Sequence, residues 1–169
     1  MNKLWAPWRY EYIKNTVSGN SEGCLFCNII NENNDKENLI VCRGKKSYII
    51  INRYPYNNGH LMIVPYNHFS EVEMLGDEEI LEMMKFLKLS IKVLSKKYSP
   101  EGFNIGVNLG KVAGAGIDDH IHIHLVPRWM GDTNFMPVLG ETKIISQDLQ
   151  ETWKIIKEGF DEIKIGELL

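Results

Sequence analysis

Apolar residues recur along this chain at two periods. From Asp77 onward, Ile80, Met84, Leu87, Ile91, Leu94 and Tyr98 follow one another in alternating steps of four and three. That spacing predicts a long amphipathic helix. Asp77, Glu78 and Glu79 suit its positive N-terminal end, and Pro100 and Gly102 close it. Leu149, Trp153, Ile156, Phe160 and Ile163 repeat the pattern and predict a second helix. Elsewhere the apolar runs are short and bounded by Gly, Asn or Pro. They predict strands at Leu39–Cys42, Ser47–Asn52, His60–Val64, Phe103–Leu109 and His120–Val126. Asn57-Asn58-Gly59 is a turn signal that pairs the second and third strands as a hairpin. Cys24 to Ile30 reads as a knuckle leading into a short helix, and Asn31 to Asn38 as a polar loop. Short-turn strands with two main helices at separate places predict an α+β fold on a mainly antiparallel sheet.

Composition narrows the class. A chain of 169 residues, 44% hydrophobic, suits one domain with its own core, here residues 1–169. The formal net charge of −3 argues against a nucleic-acid polymer as partner, while leaving room for a small anionic ligand. Neither a membrane-spanning apolar run nor a secretory h-region is visible, so a cytoplasmic location is expected. Cytosolic thiols stay reduced. Cys42, inside an apolar run, reads as a buried strand residue.

Chemistry concentrates in a few places. His120-Ile121-His122-Ile123-His124 holds three of the five histidines. Strand alternation would put the three imidazoles on one face and Ile121, Ile123 and Leu125 on the other. Imidazole suits proton transfer near neutral pH, attack on phosphorus and metal ligation. Upstream, Asn108 to Gly116 is a glycine-rich connection whose backbone N–H groups can approach a phosphate. Cys24 and Cys27 form a CxxC pair able to share a zinc ion, with His60, His68 and His120 as the available further ligands. The competing reading is a redox pair, which would ordinarily open a helix in a βαβ setting not found here.

The run His120 to Val126, with Pro127-Arg128 after it and Asn58-Gly59-His60 through Pro65 to His68 before it, resembles the histidine triad (HIT) family over about residues 24–129. The flanks Leu4–Arg9 and Pro127–Phe135 are similar to a zinc-bearing bacterial branch of diadenosine tetraphosphate phosphorylases and ATP adenylyltransferases. The resemblance implies a dimeric α+β domain. It implies that His122 attacks the α-phosphorus of a nucleotide, giving a nucleotidyl-histidine resolved by water or phosphate. His124 would stand beside the phosphate and His60 would support the cluster. Asn52 would hold the ribose hydroxyls, and Asn108, Gly114, Ala115 and Gly116 would line the phosphates. The implied ligand set for a structural Zn2+ is Cys24, Cys27, His68 and His120. Ile117 stands where many members carry Ser or Thr. The expected substrate is a nucleotide such as a diadenosine polyphosphate, with phosphate as second substrate. A nucleoside phosphoramidase and a non-catalytic nucleotide-binding protein are the alternatives.

Overall fold

The computed structural model describes residues 23–163 apart from 115, 116, 118, 135–138 and 140–143. Among these, five strands form one antiparallel sheet in the order β1-β2-β3-β5-β4. The strands are β1 (Ile40–Arg43), β2 (Ser47–Ile51), β3 (Leu61–Pro65), β4 (Gly102–Val107) and β5 (Ile123–Arg128). The helices are α1 (Leu25–Asn31), α2 (Asp77–Tyr98) and α3 (Leu149–Asp161). Helix α2 packs on β2, β3 and α3, and α3 packs on β1. The two helices approach closely at Gly159, where a Cβ would meet Val93 Cγ1 at 2.6 Å. Trp153 donates its indole N–H to Ile40 O at 2.8 Å, fixing α3 to β1. No helix among the described residues is long and apolar enough to cross a membrane.

Strands β2 and β3 are buried at every position because both faces are covered. They form the expected hairpin, but its connection is longer than a two-residue turn. The ladder ends at Ile51↔Leu61, with Asn52 N–H bonded to His60 O at 2.9 Å. Gly59 closes the connection at φ +75°, where an L side chain would be strained. Cys42 is 6% exposed, a core residue as expected.

Two expectations need correction. Helix α2 has the predicted ends but is rotated. Ile80 and Met84 lie on the outside, 41% and 46% exposed. The inward face is Met83, Phe86, Leu87, Val93 and Leu94, joined by Glu82. The cause is polar. Glu82 accepts hydrogen bonds from the N–H groups of Lys45, Lys46 and Ser47 and from Ser47 Oγ, at 2.7–3.0 Å. Burial pushes its pKa up, but these four donors together hold it below the usual carboxylate range. A purely apolar stripe misses a carboxylate that must face inward to satisfy a hairpin turn.

The second correction concerns the histidine run. β5 begins at Ile123, so His120 and His122 precede the ladder and only His124 lies within it, opposite Met62. β3 has already ended at Pro65, and the N–H of Ile121 turns instead to Phe69 O at 2.6 Å.

Candidate functional site

Cys24 is the N-cap of α1 and Cys27 lies in its first turn, so both thiols face the same side. The Ile121–Phe69 bond ties the His120 segment to the loop bearing His68. The Sγ atoms of Cys24 and Cys27 and one ring nitrogen each of His68 and His120 lie within 4.8 Å of one another. Cys24 Sγ is 3.3 Å from His120 Nδ1, and Cys27 Sγ is 3.4 Å from His68 Nδ1 and 3.6 Å from His120 Nδ1. Zinc–sulfur bonds of about 2.3 Å and zinc–nitrogen bonds of about 2.0 Å give a tetrahedral S···N edge of roughly 3.6 Å. The donor set therefore fits one zinc ion.

The outer partners fit as well. His120 donates Nε2–H to Pro65 O at 3.0 Å, which leaves the Nδ1 lone pair turned toward the thiols. His68 Nε2 lies 4.0 Å from the Asp119 carboxylate. Burial pushes the Cys24 thiol up to about 11. Two imidazole nitrogens converging on the paired thiols are not needed by a redox CxxC, so the donor set speaks for ligation. Phe26, 2% exposed, packs edge-on against both His120 and His122.

The second cluster is His60, His122 and His124, and backbone groups set its tautomers. His122 donates Nδ1–H to the carbonyl of His120 at 2.8 Å, so its lone pair is on Nε2. His60 Nδ1 accepts the N–H of Tyr56 at 3.1 Å. An amide can only donate, so neutral His60 carries its proton on Nε2 and gives it to His124 Nδ1 at 3.0 Å. Neutral His124 then carries its own proton on Nε2. The rings of His122 and His124 are 4.7 Å apart. Burial lowers the pKa of His122, with the His120 carbonyl opposing it. Burial, then the positive charge that His124 and His122 would add, pushes His60 well below 6.5. His60 and His122 can therefore work from the neutral state at neutral pH.

The remaining expected residues are less completely placed. Asn52 is turned onto His60: its Oδ1 accepts Tyr54 N–H at 2.9 Å and its Nδ2 lies 3.4 Å from His60 Nδ1. Asn108 follows β4, and Gly114, at φ +90°, ends the 3-10 turn Lys111–Ala113. Ala115 and Gly116 lie outside the described residues. Sequence reasoning passed over Tyr56, whose ring centroid is 4.7 Å from that of His60 and 6.0 Å from that of His124. Its main contribution is a backbone N–H, which no side-chain motif announces.

Comparison with known proteins bears on this arrangement. Residues 33–130 match the HIT domain family model. The chain is similar to the AP-4-A phosphorylase of Mycobacterium tuberculosis strain H37Rv, 40% identical over 161 residues, covering 92% of this chain and 83% of that relative. A hypothetical histidine triad nucleotide-binding protein from Sulfolobus tokodaii superposes with a TM-score of 0.67 at 27% identity, over 83% of this chain and 94% of that one. A Zn-bound histidine triad family protein from Mycobacterium smegmatis shares the fold, with a TM-score of 0.68 at 21% identity over 85% of this chain and 97% of that one.

Proposed function

The chain belongs to the HIT family, and we propose on that footing that it cleaves diadenosine tetraphosphate by phosphorolysis, through an adenylyl intermediate on His122. The observation that carries this is the Nδ1–H of His122 held on the His120 carbonyl, which leaves Nε2 as a fixed, unprotonated nucleophile. In the first step Nε2 attacks the α-phosphorus. The bond from that phosphorus to the bridging oxygen breaks, and ATP leaves. His124 Nε2–H, polarised by His60 through their shared hydrogen bond, stands next to His122 as donor to the departing oxygen or to the phosphoryl oxygens. In the second step a phosphate oxygen attacks the same phosphorus, the N–P bond breaks, and ADP is released with His122 restored.

Cys24, Cys27, His68 and His120 would hold the zinc ion, which would brace α1 against the histidine segment and leave His122 clear of the metal. Asn52, Asn108 and the glycine turn that begins at Gly114 remain the proposed ribose and phosphate contacts. The experiment is product chromatography on diadenosine tetraphosphate with and without phosphate. ATP plus ADP, dependent on phosphate, supports the reading. ATP plus AMP at one rate in both runs leaves a hydrolase.

The same reading includes a homodimer. β4 is an edge strand, and its Ile105 and Val107, which share a face, are 51% and 37% exposed. Ile80, Leu81 and Met84 on α2 are exposed too. Unpaired strand edges and apolar patches of this kind are normally covered, and a second copy supplies a matching edge.

A further inference from the structure

The turn after β5 is knit together by its own backbone and by one carboxylate. Asp132 N–H bonds to Trp129 O at 3.1 Å, with Gly131 at φ +77°. At its centre the Asp132 side chain is only 6% exposed. Its carboxylate accepts Arg128 Nε at 2.6 Å and Nη2 at 3.1 Å, Trp129 N–H at 3.2 Å and Thr133 Oγ1 at 3.3 Å. It also accepts Asn57 Nδ2 at 2.8 Å, from a residue far away in sequence. Asn57 is buried, and Nδ2 donates in addition to Pro127 O at 3.1 Å. Both of its amide hydrogens are thus spent on β5 and the turn that follows.

The backbone around Asn57 holds His60. Asn57 O accepts His60 N–H at 3.2 Å, and the preceding residue, Tyr56, aims its N–H at His60 Nδ1. We infer that Asn57 and Asp132 form a positioning pair, which pins the 52–60 loop to the end of β5 and thereby fixes the proton of His60 on Nε2 and that of His124 on its Nε2. The chemical reason is the near-equivalence of the two imidazole tautomers once neither nitrogen has an obligatory partner. With Tyr56 N–H displaced, Nδ1 is left only the longer contact to Asn52 Nδ2 at 3.4 Å, from a residue of the same loop, and His60 can hold its proton on Nδ1. Its Nε2 lone pair then faces His124, which must answer with Nδ1–H and loses the hydrogen directed at the substrate. Among the described residues the groups facing His60 are His124, His122, Tyr56 and Asn52, and none of these is a carboxylate that would choose the tautomer instead.

The effect on turnover rests on the phosphorolysis reading, but the tautomer does not, so the two are measured separately. Ring-nitrogen NMR of the full chain, assigned with His60→Gln and His124→Gln, reports which nitrogen of each ring is protonated. Asn57→Ala removes both donors, while Asp132→Asn keeps an acceptor oxygen for Asn57 and serves as the conservative control. Folded Asn57→Ala protein is expected to show mixed tautomers at His60. Its kcat is expected to fall by about 10- to 100-fold with KM within about threefold. Wild-type ring signals in folded Asn57→Ala overturn the inference, as does unchanged kcat beside altered signals. Altered signals in a protein whose wild type does not act on diadenosine tetraphosphate uphold the pair and reject the substrate.

Discussion

The carbonyl of His120 accepts the ring N–H of His122 at 2.8 Å, while the side chain of the same His120 turns its Nδ1 toward Cys24 and Cys27. One residue thus serves the Cys/His cluster with its ring and His122 with its backbone. The two clusters are mechanically one, although His122 is not among the four candidate metal ligands.

His122→Ala removes the nitrogen proposed to attack, together with its bond to His120 O and its contact with Phe26. Turnover is expected to drop by roughly 10³-fold or more, with nucleotide affinity retained. Mass spectrometry after mixing with substrate should show adenylylated wild type and unmodified variant.

Cys24→Ser should lower zinc from one per chain and cost about 5–10 °C in Tm. Because the His120 carbonyl moves with its ring, kcat should fall too. Metal analysis alongside differential scanning calorimetry checks both. A metal-free protein of unchanged stability and activity would refute the site.

The pH dependence has a definite sign. Burial lowers the folded pKa of His60 well below 6.5. Between that value and 6.5 the unfolded chain binds a proton that the native state does not, so stability rises with pH through this window. The contribution is complete above 6.5 and is lost as pH falls through the folded pKa. Chemical denaturation across this range should show the slope in the wild type, and His60→Gln should flatten it.

Glu82→Gln leaves an amide where four donors converge on a carboxylate, so one N–H must face the hairpin donors. A loss of about 2 kcal/mol in stability is expected. Urea titration gives the cost, and KM for nucleotide should not move, since the residue lies outside the site.

Ile105→Lys places a charge on the exposed edge of β4. Sedimentation should find the wild type as a dimer and the variant shifted to monomer. A monomeric wild type would remove the dimer from the proposal.

Much of this architecture was legible in the sequence because it depends on local rules. The ends of α2 follow from Asp77, Pro100 and the apolar period. CxxC with the histidines marked a candidate zinc site, and the resemblance to the HIT family implied the set Cys24, Cys27, His68 and His120 that the fold brings together. What was hidden depends on partners distant in sequence. The roll of α2 is set by Glu82 reaching the turn at Lys45–Ser47. The late start of β5 is set by Ile121 bonding to Phe69 O. The role of Asn57 was concealed behind its turn chemistry. A turn asparagine ordinarily bonds locally, and nothing in its neighbours announces a carboxylate at Asp132.

The orienting partners of His120, His122 and His60 are main-chain atoms: Pro65 O, His120 O and Tyr56 N–H. A carbonyl or an amide hydrogen survives almost any exchange of the residue that bears it. The walls around these rings can therefore drift, trading one leaving group or base for another, while the protons stay where the reaction needs them. Substitutions that insert or remove proline, fill a positive-φ glycine such as Gly59, or break the Asn57–Asp132 pair are the ones this arrangement cannot absorb.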